Sequence, residues 1–161
     1  MPQRLPILTR TSGIALSFAA MVLLGGLLRQ TEAALGGMLD LTLTGAEARA
    51  LLSGLTPWQR DVHAHATMLY DGLYPLAYGA FFAGLAIRLG GTKARWIALV
   101  MLGGMLADYA ENIVQLLALS GRADWLDAKT VLTPLKFALT GTEVLATLVL
   151  AIAAALARLR R

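Results

Sequence analysis

The stretch MLADYAENIV, residues 105–114, places three strongly polar side chains inside an apolar run. Asp108, Glu111 and Asn112 fall midway along residues 96–120, which are otherwise mostly Leu, Ala, Val, Met and Gly. A charged side chain at the centre of a membrane-spanning helix costs about 2.5–3.5 kcal/mol on insertion scales. Since residues three and four positions apart share one helix face, we expect these three side chains to face partners on other helices.

The composition of the chain favours a membrane protein over a soluble domain. Of its 161 residues, 57% are hydrophobic, whereas soluble domains are usually about 45–50% apolar. The excess falls in four blocks that lack the alternation of barrel strands, and most of them match the thickness of a bilayer core. The sequence therefore predicts an all-α integral membrane protein, a single domain of residues 1–161. We expect four transmembrane helices in an up-down bundle, with spans at about 11–29, 58–88, 95–120 and 133–157.

Helix caps predict a short amphipathic helix in the first outer loop. Thr44 and Glu47 form a capping box, and Gly54 can end the helix that follows. Its apolar edge suits the outer membrane surface, where we expect it to lie. A second helix start follows directly, at Thr56, Pro57 and Gln59. Thr133 and Pro134 mark where the fourth span begins or bends.

The basic residues of the chain predict its orientation. One side of the four-span arrangement carries eight basic residues and no acidic one, namely Arg4, Arg10, Arg88, Lys93, Arg95, Arg158, Arg160 and Arg161. The opposite loops mix basic with acidic residues. By the positive-inside rule, we expect a multi-pass protein of the bacterial inner membrane with both termini in the cytoplasm. The net charge of +4 therefore indicates contact with membrane lipids and not with nucleic acid.

Three of the predicted spans bring carboxylates to one height in the membrane. At about 1.5 Å per residue, Asp71, Asp108, Glu111 and Glu143 lie roughly 20–25 Å above the basic side. Tyrosine, amide and basic side chains lie on the same helix faces or just above them. The resulting candidate site for a ligand or for protons consists of Asp71, Tyr74, Tyr78, Asp108, Glu111, Asn112, Gln115, Lys136, Glu143 and Arg29.

The imbalance of charge in this layer indicates a function. Four carboxylates face at most two basic groups, Lys136 and Arg29, and unpaired buried carboxylates hold protons, bind a cation or face water. We therefore expect a small inner-membrane protein whose acidic pocket opens to the periplasmic side. The pocket would bind a cationic or lipophilic small molecule or relay protons. Expected partners are membrane lipids, and either further membrane subunits or a second copy of the chain.

Two other functions fit the same residues. In a membrane enzyme acting on a lipid or isoprenoid, Asp108 or Glu111 would donate a proton and Asp71 or Glu143 would accept one. In a purely structural or assembly subunit, the buried charges would only fix helix order and register. The sequence assigns no catalytic residue and predicts no cofactor and no metal site. The absence of cysteine excludes thiolate metal sites and iron–sulfur clusters.

Overall fold

The computed structural model describes residues 7–160, except for the side chains of residues 92, 93 and 95. Within that range the regular elements are all helical. The α-helices are α1 (Thr11–Leu35), α2 (Gly45–Gly54), α3 (Pro57–Ala66), α4 (Gly72–Gly90), α5 (Arg95–Leu119) and α6 (Lys129–Leu159). A π-helical turn, Thr67–Asp71, joins α3 to α4. Short 3-10 turns cover Ile7–Thr9, Leu39–Leu41, Gly91–Ala94 and Leu126–Ala128.

Four helical segments are long and apolar enough to cross a membrane. By length and composition these are Thr11–Leu35, Pro57–Gly90, Trp96–Leu119 and Leu126–Leu159. The prediction of four long apolar helices is confirmed. On the basic side predicted from the sequence, Arg4 and Arg161 lie outside the described residues, as do the side chains of Lys93 and Arg95.

The distribution of side chains in α6 is the reverse of that in a soluble bundle. Within α6, which is described in full, the buried residues are all polar: Lys129, Thr133, Lys136, Glu143 and Thr147. Large apolar side chains such as Leu145, Val149 and Ile152 are more than half exposed. A soluble helix would bury its apolar stripe instead. A polar face turned inward and an apolar face turned outward is the arrangement that suits a helix in lipid.

Helix packing leaves a cleft between α1 and α6. α1 packs mainly against α4, and α6 packs mainly against α5, while α4 also contacts both α5 and α6. The rings of Phe18 on α1 and Phe81 on α4 lie 5.2 Å apart. Gly79 of α4 comes so close to α5 that an added Cβ would lie 2.7 Å from Met105 Sδ. Because α1 packs mainly on α4 and α6 packs mainly on α5, space remains between α1 and α6.

Two helix ends differ from the predicted bounds. α1 extends past residue 29 and stops at Gly36, whose left-handed backbone (φ 79°) lets its N–H donate to Glu32 O at 2.9 Å. α6 begins at Lys129, a turn before Thr133, and Pro134 lies inside the helix. In this extra turn the Lys129 side chain is buried against Glu111 of α5.

Both predicted helix starts in the first long loop are present. Thr44 Oγ1 accepts a hydrogen bond from Glu47 N–H at 3.2 Å, the Glu47 carboxylate accepts one from Thr44 N–H, and the same motif starts α3. The predicted short helix is therefore confirmed as α2. Its apolar residues Leu51 and Leu52 pack on a buried cluster of Leu39, Ala48, Leu55, Val114, Ala118, Leu119 and Leu126. This apolar edge therefore covers the end of α5.

One arginine ties α2 to the segment before α6. Arg49 Nε donates to Asp124 Oδ2 at 2.7 Å, and Arg49 Nη1 donates to Asp127 Oδ1 at 2.8 Å. Hydrogen bonds from Arg49 lower the pKa of Asp124, and hydrogen bonds to Asp127 and Asp124 raise the pKa of Arg49. Because guanidinium contacts to carboxylates have a fixed geometry, they hold α2 over the ends of α5 and α6.

We expect Gly45→Ala to destabilise the end of the protein that carries α2. A Cβ at this position would lie 2.7 Å from Leu126 O and 2.8 Å from Asp127 N, which are both backbone atoms. Overlaps of this kind typically cost about 1–3 kcal/mol, so the melting temperature in detergent should fall. Gly54→Ala is the matched control, because nothing lies within 4 Å of its added Cβ. Equal melting temperatures for the two variants would contradict the close approach at Gly45.

Candidate functional site

A fully buried carboxylate on α5 joins this helix to α6. Glu111 is inaccessible to solvent, and its Oε1 atom contacts Lys129 Nζ and accepts a hydrogen bond from Thr133 Oγ1 at 2.7 Å. Its Oε2 atom lies 2.8 Å from Lys136 Nζ. Gln115 Nε2, one turn further along α5, donates to Oε1 at 3.2 Å. Glu111 therefore contacts two ammonium groups, which leaves it little capacity to bind anything else.

The Lys136 ammonium group is shared by three carboxylates. Besides Glu111, it contacts Asp40, which lies in the segment between α1 and α2. Asp108 Oδ1 lies 3.3 Å from the same nitrogen. Asp71, by contrast, forms no ion pair with any residue that the structure describes. Pairing of this kind is needed in the interior, because desolvation of a lone charge costs several kcal/mol.

Three aspartates crowd together beside this ammonium group. One carboxylate oxygen from each of Asp40, Asp71 and Asp108 lies within 4.8 Å of the others, a spacing at which they could hold a metal ion. The Lys136 nitrogen already lies against two of the three. Within residues 7–160, Asp71 Oδ2 has no hydrogen-bond partner. Asn112 faces Asp71, and its amide atoms also lack a partner of good hydrogen-bond geometry there.

The backbone around Asp71 departs from α-helical geometry. The turn Thr67–Asp71 is π-helical, and such wide turns are frequent at functional sites. Pro75 follows within α4 and lacks the N–H that would donate to the carbonyl group of Asp71. In the same region Tyr109 Oη of α5 donates to Gly72 O at 3.0 Å, so that a side chain supplies a bond to this irregular backbone.

Two tyrosines of α4 lie beside the ion cluster, which consists of Asp40, Asp71, Asp108, Glu111, Lys129 and Lys136. Tyr78 is buried and its Oη donates to Asp108 Oδ2 at 3.2 Å. Tyr74 is half-buried, and its ring lies 5.3 Å from that of Tyr78 in an edge-to-face arrangement. Both rings, together with Phe82, form one wall of a cavity that reaches Lys136. Aromatic faces attract cations, so this wall is compatible with a positively charged ligand.

A groove between α1 and α6, here called the α1–α6 groove, leads to the cluster. It consists of two adjoining cavities of about 480 Å³ and about 390 Å³. Both are bordered by Met21, Asp40, Tyr74 and Phe137. The larger cavity also meets further apolar residues of α1, namely Val22, Gly25 and Leu28. The smaller cavity meets Asp108 and Lys136, so a mostly apolar groove ends at charged groups.

Two of the predicted site residues lie apart from the ion cluster. Arg29 is exposed, lies 3.6 Å from Glu32 and borders only the larger cavity. Glu143 is buried on α6, but neither of its carboxyl oxygens has a hydrogen-bond partner in the described part of the chain. It lies seven residues beyond Lys136, which is roughly 10 Å along the helix. Neither residue joins the cluster, and this corrects the expectation of a single charged layer.

Two residues of the cluster, Asp40 and Lys129, were not predicted from the sequence. Lys129 lies on the buried face of α6, seven residues before Lys136, so extending that polar face by two turns would have found it. Asp40 carries no such signal, because its position depends on a contact that is distant in sequence. The neighbouring Leu39 is buried, and its N–H donates to His63 Nε2 at 3.1 Å.

We expect Lys129→Met to destabilise the protein strongly, because it takes a counter-ion from the buried Glu111 carboxylate. Breaking a buried ion pair from one side typically costs about 3–5 kcal/mol, and adding Glu111→Gln should recover part of the loss. Arg29→Met is the matched control, since its exposed pair with Glu32 is worth about 1 kcal/mol or less. Thermal unfolding in detergent measures all three variants. If Lys129→Met were no more harmful than the control, the buried pair would not hold α5 to α6.

The candidate site consists of buried charged side chains at the end of a mostly apolar groove. Its carboxylates can accept a cation or protons, and its tyrosine and lysine groups can donate hydrogen bonds. Compared with models of protein families, with characterised proteins and with solved structures, the chain matches none.

Proposed function

We propose that this protein spans the bacterial inner membrane four times and binds a lipophilic monovalent cation in the α1–α6 groove. The observation that carries the proposal is the position of the ion cluster at the end of the groove. Asp40 and Asp108 border the cavity of about 390 Å³, so a cation in this cavity would lie beside their carboxylates. Lys136 borders the same cavity, but the two carboxylates outnumber its one ammonium group, so a cation is favoured over an anion.

The balance of charge favours a cation over a neutral ligand. Four carboxylates meet two ammonium groups in the cluster, which consists of Asp40, Asp71, Asp108, Glu111, Lys129 and Lys136. Excess negative charge away from water is unfavourable, and a bound cation, or a proton in its place, reduces that excess. The Phe137 ring borders both cavities and offers a cation a further attraction.

The walls of the groove favour a lipophilic molecule. Both cavities fall within the range of about 300–1,000 Å³ that is typical of small-molecule sites. Their lining is mostly apolar, which suits the body of a ligand whose charge is carried at one point. Val22 and Phe137, which border the groove, are both well exposed. A ligand dissolved in the bilayer could therefore enter sideways between α1 and α6.

The proposed orientation places both termini in the cytoplasm and α2 on the periplasmic side. Basic residues without acidic neighbours flank the proposed cytoplasmic ends of the helices, as the positive-inside rule requires. The mixed cluster of Arg49, Asp124 and Asp127 would then lie at the periplasmic end. In this up-down arrangement, lipids cover the apolar exterior, and the pocket opens in the periplasmic half of the membrane.

A second candidate is acid–base catalysis on a lipid or isoprenoid. The observation that favours it is the hydrogen bond from Tyr78 to Asp108, which places a proton donor and acceptor on the wall of the cavity. The two functions differ in the ligand that they require. An enzyme of this kind would bind a neutral substrate, whereas a cation-binding protein would discriminate by charge.

We expect the purified protein to bind tetraphenylphosphonium and not tetraphenylborate, an anion of the same shape. Asp108→Asn should weaken binding of the cation about tenfold or more, because it removes negative charge beside the cavity. Equilibrium dialysis in detergent measures each affinity. Asp61→Asn is the control, since Asp61 is an exposed carboxylate of α3 that does not border the groove. Equal binding of the two ions, or an unaffected Asp108→Asn variant, would contradict the proposal.

We expect reporter fusions to show the proposed orientation. Alkaline phosphatase, which is active only in the periplasm, should be active when fused after Glu47 and inactive when fused after Arg161, because one span and four spans precede these points. Green fluorescent protein, which is fluorescent in the cytoplasm, serves as the control and should give the opposite pattern at the same two positions. Phosphatase activity at Arg161 would refute the proposed orientation.

A further inference from the structure

Asp71 differs from the other carboxylates of the cluster in lacking a counter-ion within the described range. It is 2% exposed, and its Oδ2 atom has no hydrogen-bond partner there. Asp40 and Asp108, whose oxygens lie within 4.8 Å of an Asp71 oxygen, both contact Lys136. Glu111 contacts two ammonium groups. Positive charge therefore lies against each carboxylate of the cluster except that of Asp71.

The crowding of these carboxyl groups decides which of them carries a proton. When several acidic groups share a site away from water, they cannot all ionise, and one retains its proton. The groups that face Asp71 are the charged side chains of Asp40, Asp108 and Lys136 and the titratable hydroxyls of Tyr74 and Tyr109. Because Lys136 contacts Asp40 and Asp108, it favours their ionised forms. The proton consequently belongs on Asp71.

The neighbouring amide of Asn112 is suited to a group that changes its protonation state. Asn112 is 4% exposed, faces Asp71, and has no partner of good hydrogen-bond geometry among the described residues. A carboxamide can both accept and donate hydrogen bonds. It can therefore accept a hydrogen bond from a protonated Asp71 carboxyl and donate one to the ionised carboxylate. A buried amide without a hydrogen-bond partner lowers the stability of a protein. A residue that served only to fill space would avoid this cost.

We infer that Asp71 exchanges its proton for the cation that enters the α1–α6 groove, so that cation binding is coupled to proton release. The inference rests on the proposed function. In the exchange, the O–H bond of the Asp71 carboxyl group breaks, the electron pair stays on the oxygen, and the proton passes to the Asp40 carboxylate, one of whose oxygens lies within 4.8 Å of an Asp71 oxygen. The charge of the cation replaces that of the proton, and the net charge of the cluster does not change. Asp40, whose side chain is 22% exposed, lies where the groove meets solvent and can pass the proton on.

The experiment measures proton release when tetraphenylphosphonium is added to the purified full-length protein. In weakly buffered detergent solution with a pH-sensitive dye, we expect roughly one proton to be released per cation bound at saturation. Asp71→Asn imitates the protonated carboxyl, so this variant should bind the cation more weakly and release no proton. Glu143→Gln is the matched control, because it removes an equally buried carboxyl outside the cluster, and its proton release should equal that of the unmodified protein.

The pH dependence of the affinity provides a second measurement that needs no variant. A proton and a cation that compete make the affinity for tetraphenylphosphonium rise with pH, by up to about tenfold per pH unit, while Asp71 is protonated. Binding of the cation without proton release and without this pH dependence would overturn the inference and leave the proposed function standing. Proton release that persists in Asp71→Asn, or that is lost in Glu143→Gln, would also overturn it. Failure to bind tetraphenylphosphonium at all would overturn both.

Discussion

The contact of Glu111 with two lysines is the interaction on which the rest of the structure depends. It joins α5 to α6 at a point where neither partner reaches water, so each lysine is held in one place. Lys136 in turn holds Asp40, and with it the segment between α1 and α2 that closes one end of the groove. The fold and the candidate site therefore share the same bonds. A change that weakens these bonds affects both stability and binding.

Buried ion pairs contribute little net stability, because the cost of removing both charges from water offsets their attraction. Well-packed apolar residues in the place of Lys129 and Glu111 would hold two helices together at least as well. The charges therefore suit a role that apolar residues cannot perform. In this protein Asp40, Asp108 and Lys136 line the end of a mostly apolar groove, and the carboxyl group of Asp71 has no counter-ion among the described residues.

Sequence analysis predicted those features that depend on short stretches of the chain. Apolar blocks, most of them about long enough to cross a bilayer core, predicted the four long helices, and the spacing of Thr44 and Glu47 predicted the start of α2. The same analysis missed Asp40, because only the folded segment brings it to Lys136. Lys129 was missed for a different reason, since Thr133 and Pro134 resemble a helix start and so concealed one more turn of α6.

The π-helical turn between α3 and α4 compensates for the rotation of the buried face around the helix axis. The buried residues His63, Thr67, Asp71 and Pro75 are four positions apart, and in a regular α-helix this spacing would rotate each one by about 40° relative to the last. The wider turn reverses part of that rotation and keeps all four side chains on the inner side of the bundle. Deleting a single residue there would rotate α3 by about 100° relative to α4. His63 would then no longer accept the hydrogen bond from Leu39 N–H. The one extra residue of this turn therefore keeps the acidic end of the groove in alignment.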